Sequence, residues 1–121
     1  MDVIIVAANA LRNQIDGLYR GVGSVQLKAA QDAGEQIFIL DVRSPQELEQ
    51  QGKLPGSVLI PLGVLRKRID EVPREGRVVI YCKTSLRAWE ATRILQGFGY
   101  TNTEVLDGGI LAWPFDKEKL S

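Results

Sequence analysis

Histidine is missing from this chain, and cysteine occurs once, at Cys82. An intramolecular disulfide and a Cys/His metal cluster are therefore excluded. Net charge is lacking as well, fifteen basic residues offsetting fifteen acidic ones. That removes the electrostatic case for nucleic acid or a membrane surface as partner. Long apolar runs are absent: Val3 to Ala8 is far too short to span a bilayer. This run also opens on Asp2 rather than on the basic residues of a signal peptide. No internal repeat or low-complexity tract is visible. What remains is one domain of 121 residues, long enough to bury a core. A free thiol is most at home in a reducing compartment, so a cytoplasmic location is expected.

What is present is organised around the stretch from Arg77 to Phe98. Arg77-Val78-Val79-Ile80-Tyr81 is β-branched and apolar, the composition of a buried strand. Ala88, Ala91, Ile94, Leu95 and Phe98 recur at helical spacing until Gly97 and Gly99 stop the pattern. Between them lies Cys82-Lys83-Thr84-Ser85-Leu86-Arg87. The cysteine thus sits where a strand ends and a helix begins, where unpaired N–H groups and the helix dipole favour an anion. A thiol there is drawn toward the thiolate form, and Lys83 and Arg87 add positive charge. The competing reading is a small, inert, buried hydrophobe. Loop length separates the possible chemistries. A phosphotyrosine-phosphatase loop needs five residues between Cys and Arg to encircle a phosphoryl group. Four lie here, a smaller cradle that suits a sulfur atom carried on the cysteine.

Four ordered segments carry a family resemblance. Phe38-Ile39-Leu40-Asp41-Val42-Arg43-Ser44-Pro45-Gln46-Glu47 joins a strand to a helix start. Leu54-Pro55-Gly56-Ser57-Val58-Leu59-Ile60-Pro61 follows. The Cys82 to Arg87 loop is third, and Asp107-Gly108-Gly109-Ile110-Leu111-Ala112-Trp113 closes the set. Together, over about residues 24–116, the chain resembles a rhodanese domain, the single-cysteine sulfurtransferase fold. The resemblance implies an α/β three-layer domain with a mainly parallel central sheet flanked by helices. It also implies a Cys82 nucleophile, a substrate loop of Lys83, Thr84, Ser85, Leu86 and Arg87, and support from Asp41, Arg43, Asp107 and Gly108. Small sulfur donors and thiol acceptors are the implied partners, with no cofactor or metal in this chain. Two positions depart from the family pattern. Lys53 stands where the family usually has histidine, and Ser85 where the loop commonly has glycine, so its backbone must fit with side chains present.

The remaining segments read in order. Residues 1–23 are expected to form an apolar helix and linker, with Asp2 as N-cap and a short strand over Val3 to Val6 as the competing assignment. Gly21-Val22-Gly23 reads as a break. This segment is similar to the helical tail that joins a flavin-dependent pyridine nucleotide-disulfide oxidoreductase, of the coenzyme A-disulfide or persulfide reductase type, to a C-terminal rhodanese domain. The resemblance makes a flavoprotein core a candidate partner, and an uncovered apolar helix a candidate homodimer contact. Residues 24–121 form the domain proper. Ser24 is read as the cap of a helix that ends at Gly34, and Ile37 to Leu40 as a central strand. Asp41 and Arg43, at its carboxyl end, either hold the Cys82 loop or form a structural ion pair. Ser44, Pro45 and Glu47 spell a capping box.

Ser57 to Ile60 is the next strand. Leu62, Leu65, Ile69 and Val72 then predict an amphipathic helix whose outer face carries Arg66, Lys67 and Arg68, read as solvated. Thr103 to Leu106 is the last strand. Asp107-Gly108-Gly109 should approach the Cys82 loop, its glycines permitting close contact or positive φ. Trp113 is expected beneath the site and Trp89 in core or interface. Thr84 and Ser85 hydroxyls either bind a sulfur-borne anion or cap the following helix.

The implied reaction is two-step covalent sulfur transfer through a Cys82 persulfide, from thiosulfate or a persulfide to a thiol or cyanide. Two rivals stay open: a sulfur-relay or docking domain of a larger flavin reductase, and a small Cys-dependent phosphatase.

Overall fold

A computed structural model describes residues 20–118 of the chain; the helix expected over the first nineteen residues lies outside them. Five strands, β1 (Gly21–Val22), β2 (Ile37–Asp41), β3 (Val58–Leu59), β4 (Arg77–Tyr81) and β5 (Thr103–Leu106), form one sheet. Its order is β1-β5-β4-β2-β3, and every pairing is parallel. Three α-helices, α1 (Ser24–Asp32), α2 (Pro45–Gln51) and α3 (Leu86–Gly97), supply the crossovers that parallel strands require.

The apolar runs explain the layering. Along β4, Val78 and Ile80 face one cluster with Ala88, Ala91 and Leu95 of α3. Val79 and Tyr81 face the other, with Leu27 of α1 and Trp113. A strand buried on both faces needs no polar alternation, hence the continuous hydrophobic sequence of β2 and β4. The domain is thus the three-layer α/β fold expected.

Strand order creates the site. Neighbours β2 and β4 send the chain in opposite directions, β2 toward β3 and β4 toward β5. Their connections diverge and leave a crevice at the carboxyl ends, where open α/β sheets bind ligands.

Three local expectations are corrected. Gly21–Val22 is an edge strand rather than a break: the Arg20 and Val22 carbonyls accept from the amides of Val105 and Asp107 at 2.8 and 2.9 Å. Helix α1 is capped by Gly23, not Ser24, because the Gln26 side chain reaches back to the Gly23 amide at 3.0 Å. The amphipathic helix over residues 62–72 is two 3-10 turns, Leu62–Val64 and Ile69–Glu71. Pro73 cannot donate to the Ile69 carbonyl as a continuing helix would require. The Tyr100 hydroxyl fills that role, bonding the Ile69 and Val72 carbonyls at 2.9 and 2.6 Å. Leu65, Ile69 and Val72 are buried regardless, Arg66 and Lys67 are exposed, and Arg68 is tied to Glu71.

Candidate active site

Cys82 follows β4 directly and is 1% exposed. Period-two alternation turns its side chain to the α3 face, opposite Tyr81. Helix α3 starts at Leu86, two residues before its first buried position, Ala88. The loop is therefore a tight bend of Cys82 to Ser85.

Backbone accounting of this bend sets its chemistry. The carbonyls of Cys82 and Lys83 accept from the amides of Ile110 and Leu111 at 3.0 and 3.1 Å. The amides of Lys83 to Arg87 have no protein acceptor among the described residues. Carbonyls are thus drawn outward to the 3-10 helix Gly109–Ala112, leaving N–H groups as the loop's unspent polarity. Unspent amides of this kind are the donors that an anion bound at such a bend uses.

Gly109 makes the approach possible. At φ 62° it lies so close that a Cβ would collide with the carbonyls of Cys82, Lys83 and Thr84. Gly108, at φ 78°, is the left-handed cap before it. Asp107 does not reach the loop: its carboxylate lies over Gly21, where a Cβ would meet Oδ1 at 2.7 Å. The predicted approach of this segment is observed, but Gly109 and the Ile110 and Leu111 amides make it.

Arg87 also differs from expectation. Its guanidinium forms a bidentate pair with Glu47, Nη1 to Oε1 and Nη2 to Oε2 both at 2.7 Å. The Arg87 bonds hold the Glu47 carboxyl far down, at about 2. Arg87 thus clamps the start of α3 to α2 through Glu47, and it also interacts electrostatically with Cys82, so its charge is shared between the two. Glu47 keeps its capping duty, accepting from the Ser44 amide at 3.0 Å. The spacing from Ser44 revealed that duty; the cross-chain clamp had no sequence signal. Lys83 and Thr84 are exposed, Leu86 is 76% exposed, and Ser85 makes no side-chain cap bond.

Asp41 and Arg43 form a fully buried pair, Arg43 Nη2 to Asp41 Oδ2 at 2.8 Å. Arg43 also donates to the Gly52 carbonyl at 2.7 Å, and Tyr81 Oη donates to Asp41 Oδ2 at 2.8 Å. The Leu54 amide and Ser57 hydroxyl complete the network around Tyr81 at 3.1 and 3.2 Å. Burial, then the Asp41 charge, push the Tyr81 phenol up to about 12. This network occupies the Tyr81 face, so it braces the corner after β2 and the end of β4, not the Cys82 thiol. Tyr81 read in sequence as one more strand residue. Lys53, at the family's histidine position, donates to the Ser57 carbonyl at 2.9 Å and pairs its backbone with Glu118. Trp113 is buried against Phe115 on the face opposite Cys82, and Trp89 is packed beside the α3 core.

A parallel sheet with a cysteine loop at its switch point, closed by a Gly-Gly-led turn, defines the class. The rhodanese-like domain family model matches residues 24–114, and the chain belongs to this family. A sulfurtransferase of Allochromatium vinosum is 35% identical over 79 residues, 65% of this chain and 73% of that protein. Two larger solved structures are also similar to this chain over part of their length. The reduced CoADR-RHD of Bacillus anthracis is 33% identical with a TM-score of 0.73, across 93% of this chain and 19% of that one. The NAD-dependent persulfide reductase of A. fulgidus is 38% identical with a TM-score of 0.65, across 94% and 19%. The chain therefore spans most of the Allochromatium vinosum sulfurtransferase but about a fifth of each of these two larger structures. At the family level this is a rhodanese-type transferase domain. No helix among the described residues is long and apolar enough to cross a membrane.

Proposed function

We propose that this chain moves sulfane sulfur through a persulfide on Cys82. The Cys82 thiolate attacks the outer sulfur of thiosulfate or a persulfide. A bond forms between Cys82 Sγ and that sulfur as the donor's S–S bond breaks, and sulfite or a thiolate leaves with the electron pair. The amides of Lys83 to Arg87 stabilise the bound sulfur anion, and the field of the loop replaces a histidine base. A thiol or cyanide then takes the sulfur and returns Cys82 to its thiolate. The observation that carries this reading is the outward-turned carbonyls of Cys82 and Lys83 with unspent amides behind them. Cys82, Lys83 and the loop backbone touch sulfur; Arg87 and Gly109 hold the loop, and Asp41 and Arg43 hold the strand ends.

Small sulfur compounds are the substrates in this reading, and no resident cofactor takes part. A flavoprotein disulfide reductase core is the natural neighbour, since the chain covers nearly its whole length on two far larger reductase-type structures. The same observation favours a second reading, in which the domain relays sulfur only to such a core.

Intact mass before and after thiosulfate or polysulfide tests the chemistry. A gain of about 32 Da, reversed by cyanide and absent in Cys82→Ser, is the result expected of a nucleophilic thiolate. No adduct with any donor refutes it.

A further inference from the structure

Loading sulfur onto Cys82 places charge on two groups. The sulfur that stays on the cysteine faces the amides of Lys83 to Arg87, which have no protein acceptor among the described residues. The group that leaves needs a counter-charge of its own. Thiosulfate makes the larger demand, because it arrives as a dianion and departs as sulfite. An alkyl persulfide carries one negative charge at most and departs as a thiolate. Arg87 is the loop cation suited to a sulfonate: a planar fork that grips an oxyanion with two parallel N–H groups, partly exposed and within electrostatic reach of Cys82. That fork is already occupied, Nη1 and Nη2 each donating to a Glu47 oxygen at 2.7 Å. Glu47 cannot turn away without undoing the cap of α2, since Oε1 also accepts from the Ser44 amide and hydroxyl at 3.0 and 3.2 Å. Its carboxyl, held at about 2, stays ionised wherever a thiolate is present to react.

We propose that Glu47 is a specificity-determining residue: by holding the Arg87 fork it denies the sulfonate of thiosulfate a partner and assigns the loop to donors without a second charge, alkyl persulfides. This inference rests on the Cys82 persulfide reading and chooses between its two donors. Glu47 and Arg87 together carry no net charge, and the carboxylate repels a dianion that the guanidinium alone would attract. Lys83 is exposed on the same loop, but a hydrated ammonium offers no matched pair of donors. Asp41, the other carboxylate that acts on Arg87, is engaged in its buried pair with Arg43. In the favoured step the Cys82 thiolate attacks the outer sulfur of R–S–SH. The bond to Sγ forms as the donor's S–S bond breaks, the electron pair leaves on R–S⁻, and Cys82–S–SH remains. With thiosulfate the same attack expels sulfite. Neither route consumes an oxidant or a reductant.

The test follows sulfur uptake by intact mass at low salt, against the concentration of thiosulfate or of freshly made 2-hydroxyethyl persulfide. Its readout is the ratio of the two second-order rate constants, thiosulfate over persulfide. A loss of folded or active molecules lowers both constants and leaves that ratio alone. Glu47→Gln should raise the ratio about fivefold, the scale of one exposed charge contact, through a lower half-saturating concentration of thiosulfate. Glu47→Asp, which keeps the charge, should stay near wild type. Adding Arg87→Gln to Glu47→Gln should return the ratio to the wild-type value, and high salt should shrink the gain. Should the amide variant fail to fold, Glu47→Ala removes the same charge and gives the same reading. A ratio unmoved or lowered by the neutral variants overturns the assignment while sulfur transfer stands. A gain that survives Arg87→Gln overturns it too, since the effect would then not run through the fork. Protein that takes up no sulfur from any donor overturns the assignment and the transfer reading together.

Discussion

Replacing Glu47 by Gln removes one charge and little else. Gln still completes the capping box with Ser44, so helix α2 keeps its start while Arg87 loses its bidentate carboxylate. Glu47 is held at about 2 against an ordinary value of 4.5, which in full would correspond to about 3 kcal/mol. Both side chains remain partly in water, 22% exposed for Glu47 and 35% for Arg87. Screening reduces the expected cost to about 1–2 kcal/mol. For a domain of this size that lowers Tm by about 5–10 °C. Direction with pH follows from linkage. A depressed carboxyl stabilises the fold fully above its unfolded value and loses that contribution as pH falls toward its folded value. The gap between wild type and Glu47→Gln should therefore be constant from neutrality down to about pH 5 and close toward pH 2. Thermal melts followed by circular dichroism across that range measure it. Equal stability at pH 7, or a gap that persists undiminished at the acid end, would refute the clamp.

Other consequences of the site geometry can be tested separately. Gly109→Ala places a methyl group on the carbonyls of the Cys82 loop and should cost at least about 2 kcal/mol in urea unfolding, with sulfur uptake impaired; a neutral effect would mean the loop does not depend on this contact. Tyr81→Phe strands the buried Leu54 amide and takes one of its donors from Asp41 Oδ2, which keeps Arg43, for an expected loss of about 1–3 kcal/mol by the same measurement. One of the three tyrosines should stay un-ionised until about pH 12 in an absorbance titration of folded protein, because burial and Asp41 hold Tyr81 there. Its raised value means stability is full below pH 10 and falls as pH climbs toward 12; three tyrosines titrating together near 10 in folded protein would contradict this.

Sequence by itself determined the parts of this domain that depend on local chemistry. Continuous β-branched runs specified β2 and β4, since a strand covered on both faces has no reason to alternate. Ser44, Pro45 and Glu47 specified the start of α2, because a cap is satisfied within four residues. Cys82 was legible as a candidate because strand, bend and helix are each written in neighbouring residues. Tertiary structure alone decided what those groups face. Arg87 looks like a free cation in sequence, yet Glu47, forty residues away, compensates it. Tyr81 looks like strand filler, yet β2–β4 register sets it against Asp41 and makes it the centre of a buried network. Residues 62–72 carry a helical pattern, but the chain forms two short turns, and the Tyr100 hydroxyl from the next layer takes up the Ile69 and Val72 carbonyls at their end. In each case the partner lies across the sheet or in the next layer. Periodicity records which face of an element is apolar; it does not record which side chain waits on the other side.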